Sequence, residues 1–335
     1  NYLSVRGDEY KRLTPVYDWM KIPGATIVQL DKMPGENEIQ KWGLTDYVGA
    51  VTDGTYGAVG LDFKSPHTGL AAKKVWFFFD KTYVCLGTDI SSRMKNQVLT
   101  TVNQCLLNGQ VTVSDADGIH PQERGSRMKK GVRWVVHDRV GYYFLNKENV
   151  ILSNQRTEGS WKIANRQTTT PTDIIQQDVF TLSVDHGSYP NNEGYAYMVV
   201  PSADPLSIEK QVEEEGVVVL ANCPDVQAVR HDGLNMAYAV FYKGGTLRIH
   251  DKIVVEMDAP GMLMVKYNDA GEILTLGVSD PTRFMKKLHL SVNQRIVGTA
   301  QENIQTEWDG KQALTRITVE LPQNEYAGKS VIYNK

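Results

Sequence analysis

The stretch Ala71–Ile90, AAKKVWFFFDKTYVCLGTDI, decides the fold class of this chain. It holds two short apolar and aromatic runs, which the charged pair Asp80-Lys81 separates. Two runs of strand-forming residues around a short polar turn are the pattern of a β-hairpin. The stretch therefore predicts two antiparallel strands with a turn at Asp80-Lys81.

The same pattern recurs along the chain. Arg133–Phe144 repeats it with a polar tip at His137-Asp138-Arg139, and Val179–Val200 holds an alternating strand, a polar loop and a second apolar run. Short turn signals stand at Asp53-Gly54, Asn108-Gly109, Asp117-Gly118, Asp232-Gly233, Gly244-Gly245 and Asp309-Gly310. Many short strands with such turns favour antiparallel sandwiches over alternating strand and helix units. We predict an all-β protein.

One helix is predicted within this β pattern. Residues 205–215, PLSIEKQVEEE, place Ile208 and Val212 four positions apart, and Gly216 follows them. This spacing and the terminal glycine are typical of a short amphipathic helix. New strand patterns begin after it, so we predict one domain over residues 1–218 and a second over residues 219–335.

Length and composition exclude several classes of protein. The 335 residues are 41% hydrophobic and 22% charged, which fits a globular protein rather than a disordered or coiled-coil one. The apolar runs are far shorter than the roughly 20 residues that a membrane-spanning helix needs. The formal net charge of −3 gives no support to a nucleic-acid-binding domain, which is usually basic. We therefore expect neither nucleic acid nor a membrane as a partner.

The cysteines and histidines form no metal-binding or catalytic pattern. Cys85, Cys105 and Cys223 are widely spaced and are predicted to be buried apolar side chains, while a Cys85–Cys105 bridge would need their strands to pair. The seven histidines show no ligand spacing, and neither a nucleophile elbow nor a phosphate-binding glycine motif is present. From the residues alone we expect no metal, no cofactor and no catalytic group.

Two features are candidates for polysaccharide binding. Trp42 lies in a polar stretch beside Gly43, whereas Trp76 and Trp134 lie inside apolar strands and are predicted core residues. An exposed indole can hold the CH face of a sugar ring, so Trp42 is a candidate platform, with a simple loop anchor as the alternative. The stretch Glu123–Arg139 has six basic residues against two acidic ones, which suits either a polyanion site or a solvated strand edge.

Longer motifs resemble polysaccharide lyase family 8, which contains chondroitin AC, hyaluronate, xanthan and chondroitin ABC lyases. The likeness begins in Pro15–Thr26, PVYDWMKIPGAT, and spans essentially all of the chain. It continues through Asp53–Gly57, Ala72–Asp80, Val84–Gly87, Asn103-Gln104, Leu107–Gly109, His137-Asp138, Gly141–Phe144, His186-Gly187, Tyr195–Tyr197, Leu220–Asn222 and Gln227–Val229. Within the family the chain is most similar to the chondroitin AC lyases.

The resemblance implies a fold and a missing part. The fold is a large antiparallel super-sandwich of the galactose mutarotase-like kind, followed by a smaller C-terminal β-sandwich. Family members also have an N-terminal helical toroid, which carries their Asn, His, Tyr and Arg catalytic groups. The chain opens at Asn1 without an initiator Met or a signal peptide, so we expect a piece of a longer polypeptide. No catalytic residue is carried over, and the piece alone is expected to be inactive.

The chemistry implied by the resemblance is β-elimination on a glycosaminoglycan that contains uronic acid, such as chondroitin or hyaluronan. A tyrosine removes the acidified C5 proton and then protonates the leaving oxygen, which gives a 4,5-unsaturated uronate. We expect a secreted or periplasmic bacterial protein, monomeric, whose partners are the acidic polysaccharide and the helical domain of the same polypeptide. The alternative is a free-standing carbohydrate-binding or structural β protein without lyase activity.

Four residues are carried over as substrate-binding positions. Trp42 matches a family tryptophan that lines the substrate cleft from the β side. Arg6, Glu9 and Tyr10 match an Arg-Gly-x-Glu-Tyr element near the same cleft. The resemblance therefore implies that these side chains form part of one wall of the cleft.

The likeness departs from the family at a calcium site. Some relatives hold calcium through carboxylates in the stretch that contains Asp18, but Met20 and Gln29 stand where further acids would be expected. Calcium needs several oxygen ligands. We therefore expect no calcium at this place.

Overall fold

The computed structural model describes residues 2–35, 38, 40, 42–296 and 303–335. Its chain forms two compact units. The first comprises Asn1–Lys41, Ser65–Leu70 and Ile90–Glu209, and the second comprises Trp42–Lys64, Ala71–Asp89 and Lys210–Lys335. Each unit therefore combines separate stretches of the sequence, and the boundary predicted at residues 218/219 stays a prediction.

Strands dominate the described residues, which confirms the all-β class. They are β1 (Thr26–Val28), β2 (Val48–Thr52), β3 (Gly57–Lys64), β4 (Ala71–Phe78), β5 (Tyr83–Ser91), β6 (Gln97–Leu106), β7 (Val111–Asp115), β8 (Gly118–Pro121), β9 (Ser126–His137), β10 (Val140–Gly159), β11 (Ile175–Ser188), β12 (Glu193–Pro201), β13 (Val217–Cys223), β14 (Val226–His231), β15 (Met236–Phe241), β16 (Gly245–His250), β17 (Ile253–Met257), β18 (Gly261–Tyr267), β19 (Ile273–Ser279), β20 (Lys287–Val292), β21 (Ile304–Asp309), β22 (Leu314–Glu320) and β23 (Val331–Asn334). No helix in this part of the chain has the length and apolar character that crossing a bilayer requires.

The first unit is built on the strand order β1-β6-β11-β10-β12. In addition, β9 pairs with β10 and with β7, and β7 pairs with β8. β9 and β10 form the predicted hairpin, whose two turn residues, Asp138 and Arg139, have φ of 48° and 63°. Positive φ at both positions is the type I′ geometry, which matches the twist of the flanking strands. The core of this unit includes the fully buried side chains of Trp134, Phe144, Phe180 and Tyr197.

The predicted helix is present as α1 (Ile208–Glu215). It begins three residues later than the pattern predicted. In the turn that precedes it, Asp204 accepts the Leu206 N–H through its side chain and the Ile208 N–H through its carbonyl oxygen. Ile208 is fully buried in the first unit. Gly216, with φ of 62°, ends the helix in the left-handed conformation that glycine adopts without strain.

The second unit contains the predicted β4–β5 hairpin, with its turn at Asp80-Lys81, in the strand order β5-β4-β3-β2. It also contains a six-stranded sheet, β13-β14-β15-β18-β19-β23, and a five-stranded sheet, β16-β17-β20-β22-β21. The core between these two sheets includes Phe241, Leu263, Val255, Leu288 and Ile317. This pair of sheets is the smaller C-terminal β-sandwich that the resemblance implied.

Strand β2 packs inside the second unit against the loop that follows β19. The Tyr47 hydroxyl donates to the Phe241 carbonyl oxygen at 2.9 Å, and Ser279 Oγ donates to the Ala50 carbonyl oxygen at 2.7 Å. A Cβ at Gly49 would lie only 2.8 Å from Pro281 Cα, so the approach of the two backbones requires glycine. The stretch around β2 is thus an integral part of this unit.

Predictions for single buried residues have mixed outcomes. Burial is confirmed for Trp134, Cys85 and Cys105, whereas Trp76 and Cys223 are only half-buried. All three cysteines are free thiols, so the bridge left open between Cys85 and Cys105 is not formed.

Candidate functional site

The N-terminal loop folds around the carboxylate of Glu9, which is only 6% exposed. Its oxygens accept hydrogen bonds at 2.5–2.9 Å from the hydroxyl of Ser4 and the backbone N–H groups of Val5, Arg6 and Gly7. Burial would raise the pKa of Glu9, but these donors outweigh it and lower the pKa to about 2. Glu9 therefore shapes the loop, and its part in substrate binding stays a prediction.

The same loop presents Arg6 at the surface. Arg6 Nε donates to Asp138 Oδ2 at 2.8 Å, and its Nη2 lies 3.1 Å from Asp8 Oδ1. The other carboxylate oxygen of Asp138 accepts a hydrogen bond from Asn108 Nδ2 at 2.8 Å. The Arg6 side chain stays 34% exposed, so its guanidinium is oriented by Asp138 yet remains accessible to an anion.

Tyr10 fixes the loop to the neighbouring strand β6. Its hydroxyl donates to the Leu3 carbonyl oxygen at 3.0 Å and lies 3.2 Å from Asn103 Oδ1, while the ring meets Tyr2 edge-on at 5.0 Å. Burial raises the pKa of the Tyr10 phenol, so this group is not poised to remove a proton at neutral pH. Its contacts hold the N-terminal loop in place, and its part in substrate binding stays a prediction.

A buried thiol and imidazole lie close together in the first unit, but they are not an activated pair. Cys105 Sγ is 3.8 Å from His137 Nδ1, and His137 Nε2 accepts the backbone N–H of Asn108 at 3.0 Å. Burial raises the pKa of the Cys105 thiol to about 12 and lowers the pKa of His137 to about 4. Both groups are neutral at pH 7. The carboxylate of Asp138 binds Arg6 instead, so the adjacent His137 and Asp138 do not make a dyad.

Trp42 lies in the second unit, and 80% of its side chain is exposed. The chain is anchored a few residues later, where Thr45 Oγ1 donates to the Asp62 carbonyl oxygen at 2.5 Å and Tyr47 is buried. An indole with this exposure buries too little surface to act as an anchor. This exposure argues against the loop-anchor alternative, and the sugar platform at Trp42 stays a prediction.

The basic stretch Glu123–Arg139 is largely neutralised by ion pairs. These pairs are Arg124–Asp178 at 2.7 Å, Arg127–Glu123 at 2.7 Å, Lys129–Asp115 at 3.0 Å and Arg133–Glu209 at 3.3 Å. Because most of its cations already have carboxylate partners, the stretch fits the solvated strand edge better than the polyanion site.

A cavity of about 550 Å³ opens on the outer face of the five-stranded sheet. Glu256, Asp258 and Glu307 line it, and the guanidinium of Arg316 is bound to Asp309 Oδ2 at 3.1 Å. This excess of carboxylates would repel an acidic polymer. The cavity is therefore not the candidate site for one.

At the position where some relatives hold calcium, the side chains of Asp18 and Gln29 already have partners within the protein. Asp18 Oδ2 lies 2.5 Å from Lys21 Nζ, and Oδ1 accepts the N–H of Met20 at 3.0 Å. Gln29 Nε2 donates to two backbone carbonyl oxygens, those of Met20 and Ile27. In the described parts of the chain, no group of three or more His, Cys, Asp or Glu side chains is placed to hold a metal ion. The absence of calcium here stays a prediction.

Two family models match the chain. Polysaccharide lyase family 8, super-sandwich domain, matches residues 1–212, and polysaccharide lyase family 8, C-terminal beta-sandwich domain, matches residues 218–289. The chain therefore belongs to polysaccharide lyase family 8.

Individual relatives agree with this assignment. Chondroitinase-AC of Pedobacter heparinus is 35% identical over 334 residues, which is 98% of this chain and 44% of the relative. Hyaluronate lyase of Thermasporomyces composti is 29% identical over 316 residues, or 91% of this chain and 39% of the relative. Xanthan lyase of a Bacillus species is 27% identical over 280 residues, or 80% of this chain and 29% of the relative. The chain thus spans less than half the length of these relatives.

Solved structures give the same result. A chondroitinase AC lyase, solved in complexes with oligosaccharides, superposes with a TM-score of 0.84 at 34% identity, over 98% of this chain and 46% of that chain. A xanthan lyase from Paenibacillus superposes with a TM-score of 0.83 at 22% identity, over 97% of this chain and 31% of that chain. The second likeness concerns the fold alone.

Proposed function

We propose that this chain is the β portion of a lyase that cleaves glycosaminoglycans containing uronic acid, such as chondroitin or hyaluronan, by β-elimination. The observation that carries the proposal is the 35% identity to Chondroitinase-AC along 98% of the chain. The hyaluronate lyase relative supports the same class of substrate. The products would carry a 4,5-unsaturated uronate.

In this proposal the chain supplies one wall of the substrate cleft and no catalytic residue. Trp42 offers an exposed ring for the CH face of a sugar. Arg6, held by Asp138, offers a cation to a uronate or sulfate group, while Glu9 and Tyr10 hold the loop that carries it. The proton-transferring groups would come from an N-terminal helical domain of the same polypeptide, because the phenol of Tyr10 and the Cys105–His137 pair are unsuited to that task.

The test compares this chain with a longer polypeptide that includes the helical domain. Both are incubated with chondroitin and with hyaluronan, and the unsaturated product is followed by its ultraviolet absorbance. We expect turnover by the longer polypeptide and none by the chain alone. Inactivity of the longer polypeptide on both polymers would overturn the substrate class, and robust turnover by the chain alone would overturn the assignment of catalysis to the helical domain.

A carbohydrate-binding protein without lyase activity is the second candidate, and the exposure of Trp42 favours it equally. Polymer binding with no unsaturated product from the longer polypeptide would select this candidate. For either function we propose a secreted or periplasmic location, since the polymers are extracellular. We also propose a monomeric state, which light scattering after gel filtration would test.

A further inference from the structure

Two loops of the second unit meet at one place on its surface. One loop joins β19 to β20 and the other joins β22 to β23. The Leu321 N–H donates to the Lys286 carbonyl oxygen at 2.8 Å, and Gln323 Nε2 donates to the Met285 carbonyl oxygen at 2.9 Å. A Cβ at Gly328 would lie 3.3 Å from Arg283 Cγ, so the second loop packs directly against the first. The loop patch is formed by Arg283, Phe284, Lys286, Tyr326 and Lys329.

The two aromatic rings of the loop patch are largely exposed to solvent. Phe284 is 75% exposed and Tyr326 is 60% exposed. The loop beneath Phe284 is well anchored, because the buried carboxylate of Asp280 accepts the N–H groups of Thr282 and Met285, both at 2.8 Å. Single exposed apolar side chains are common, but two exposed rings on loops that contact each other indicate a surface that a ligand covers.

The loop patch also has an excess of positive charge. In the part of the chain that the structure describes, Arg283, Lys286 and Lys329 have no carboxylate within ion-pairing distance, unlike their neighbour Lys287, which pairs with Glu320 at 2.6 Å. Glu325 is the one exposed acid among residues 280–286 and 321–330. Lys329 Nζ lies 5.9 Å from the centre of the Tyr326 ring. A local excess of cations stands out in a chain whose net charge is −3.

We propose that the loop patch is a second, non-catalytic site that binds acidic polysaccharide. The rings of Phe284 and Tyr326 would pack on sugar CH faces, and Arg283, Lys286 and Lys329 would pair with carboxylate or sulfate groups. The hydroxyl of Tyr326 and the ammonium beside it suit a hydroxylated polymer better than lipid acyl chains. The choice of polymer rests on the proposed function, whereas the patch itself does not. A second contact on the same chain raises the affinity for long polymers only.

The experiment measures binding of this 335-residue chain to high-mass chondroitin sulfate and hyaluronan by affinity electrophoresis. The test variants are Phe284→Ala/Tyr326→Ala and Arg283→Asn/Lys329→Gln, where asparagine tolerates the positive φ of Arg283. The matched controls are Leu274→Ala, which removes another exposed apolar side chain of the same unit, and Lys311→Gln, which removes another exposed cation. Melting curves confirm that each variant is folded.

We expect each double variant to weaken polymer binding about fivefold to tenfold, and the controls to change it less than about twofold. The charge variant should also flatten the dependence of binding on salt. No retardation of the wild-type chain, or equal retardation of the double variants, would overturn the proposal. Patch-dependent binding to phosphatidylserine vesicles without polymer binding would overturn it too, since the ligand would then be a membrane surface.

Failure of this inference can be told apart from failure of the proposed function. In the longer polypeptide, the patch variants should leave turnover of short oligosaccharides unchanged, because such substrates cannot reach a second contact. Active variants with unaltered polymer binding would refute the loop patch alone. A polypeptide that binds polymer through the patch but yields no unsaturated product would refute the lyase assignment alone.

Discussion

Arg6 and Asp138 lie 132 positions apart in the chain, yet Arg6 Nε donates to Asp138 Oδ2 at 2.8 Å. Asp138 lies in the type I′ turn at Asp138-Arg139, where both residues have positive φ, and its side chain is only 8% exposed. The contact between the N-terminal loop and the β9–β10 hairpin thus fixes the orientation of the Arg6 guanidinium at the surface. The orientation of the Arg6 guanidinium therefore depends on a turn in which two residues other than glycine have positive φ.

Substitution of Asp138 should separate the role of charge from that of backbone conformation. Asp138→Asn keeps a residue that tolerates positive φ but removes the charge, and should cost about 1 kcal/mol of stability. Asp138→Ala adds the strain of alanine at φ of 48° and should cost about 2–3 kcal/mol. Urea unfolding followed by near-ultraviolet circular dichroism measures both. Equal costs would show that the turn conformation is unstrained.

The buried carboxylate of Glu9 should make the N-terminal loop sensitive to acid. Its pKa is about 2 in the folded chain against 4.5 for a free side chain, so its stabilisation is complete above pH 4.5 and is lost as the pH falls toward 2. The stabilisation at neutral pH is about 3 kcal/mol at most. Glu9→Gln should speed amide exchange in residues 5–7 at pH 7 and have little further effect near pH 2. An equal effect at both pH values would contradict the charge-based account.

His137 should remain neutral well below the usual titration range of histidine. Because its folded pKa is about 4 and its free value is 6.5, the unfolded chain binds the proton first as the pH falls. The free energy of unfolding should drop by about 3 kcal/mol at most between pH 6.5 and 4 from this group. The nuclear magnetic resonance shift of the His137 ring proton measures the titration directly. A midpoint near 6.5 would be inconsistent with the burial of the ring.

Trp42→Ala should weaken substrate binding without changing stability. Loss of one stacking surface is expected to weaken binding of chondroitin sulfate oligosaccharides to the longer polypeptide about tenfold. The melting temperature should stay unchanged, since 80% of the side chain is exposed. Trp308→Ala, which removes a tryptophan 38% exposed, is the control. Unaltered affinity after Trp42→Ala would remove this residue from the cleft.

Gly159→Ala should be strongly destabilising. A Cβ at this position would lie 2.0 Å from the Pro15 carbonyl oxygen, and a backbone atom cannot move aside as a side chain can. We expect a loss of about 3 kcal/mol in the free energy of unfolding. Gly245→Ala is the matched control, because open space surrounds that position, and its effect should stay within about 0.5 kcal/mol. Similar melting temperatures for the two variants would refute the predicted clash.

Local patterns in the sequence predicted the hairpins well and the longer-range contacts poorly. The hairpins at Ala71–Ile90 and Arg133–Phe144 follow from apolar runs and short polar turns, which act within about 20 residues. The start of the helix was predicted three residues too early, at Pro205 rather than at Ile208. No local sequence pattern predicts that the second unit combines three separate stretches of the chain.

In the candidate site, too, local features could be predicted from the sequence and long-range contacts could not. Exposure of Trp42 could be anticipated from its polar neighbours, whereas the burial of Glu9 depends on four donors that the loop brings around it. The run from Ser4 to Glu9 contains these donors, but a folded loop is needed to make them converge. The loop patch was also missed, because Phe284 and Tyr326 lie in different loops that only the folded sandwich brings together.

The contact of Gly49 with Pro281 has a consequence for protein engineering. The part matched by the C-terminal family model, residues 218–289, shares its compact unit with residues 42–64 and 71–89. A chimaera that exchanged only the C-terminal segment between two relatives would put a foreign loop against β2, where no Cβ fits at Gly49. An exchangeable block that folds would therefore have to carry the β2–β5 region with it, and a crossover placed at the sequence boundary between the two family models should disrupt this contact.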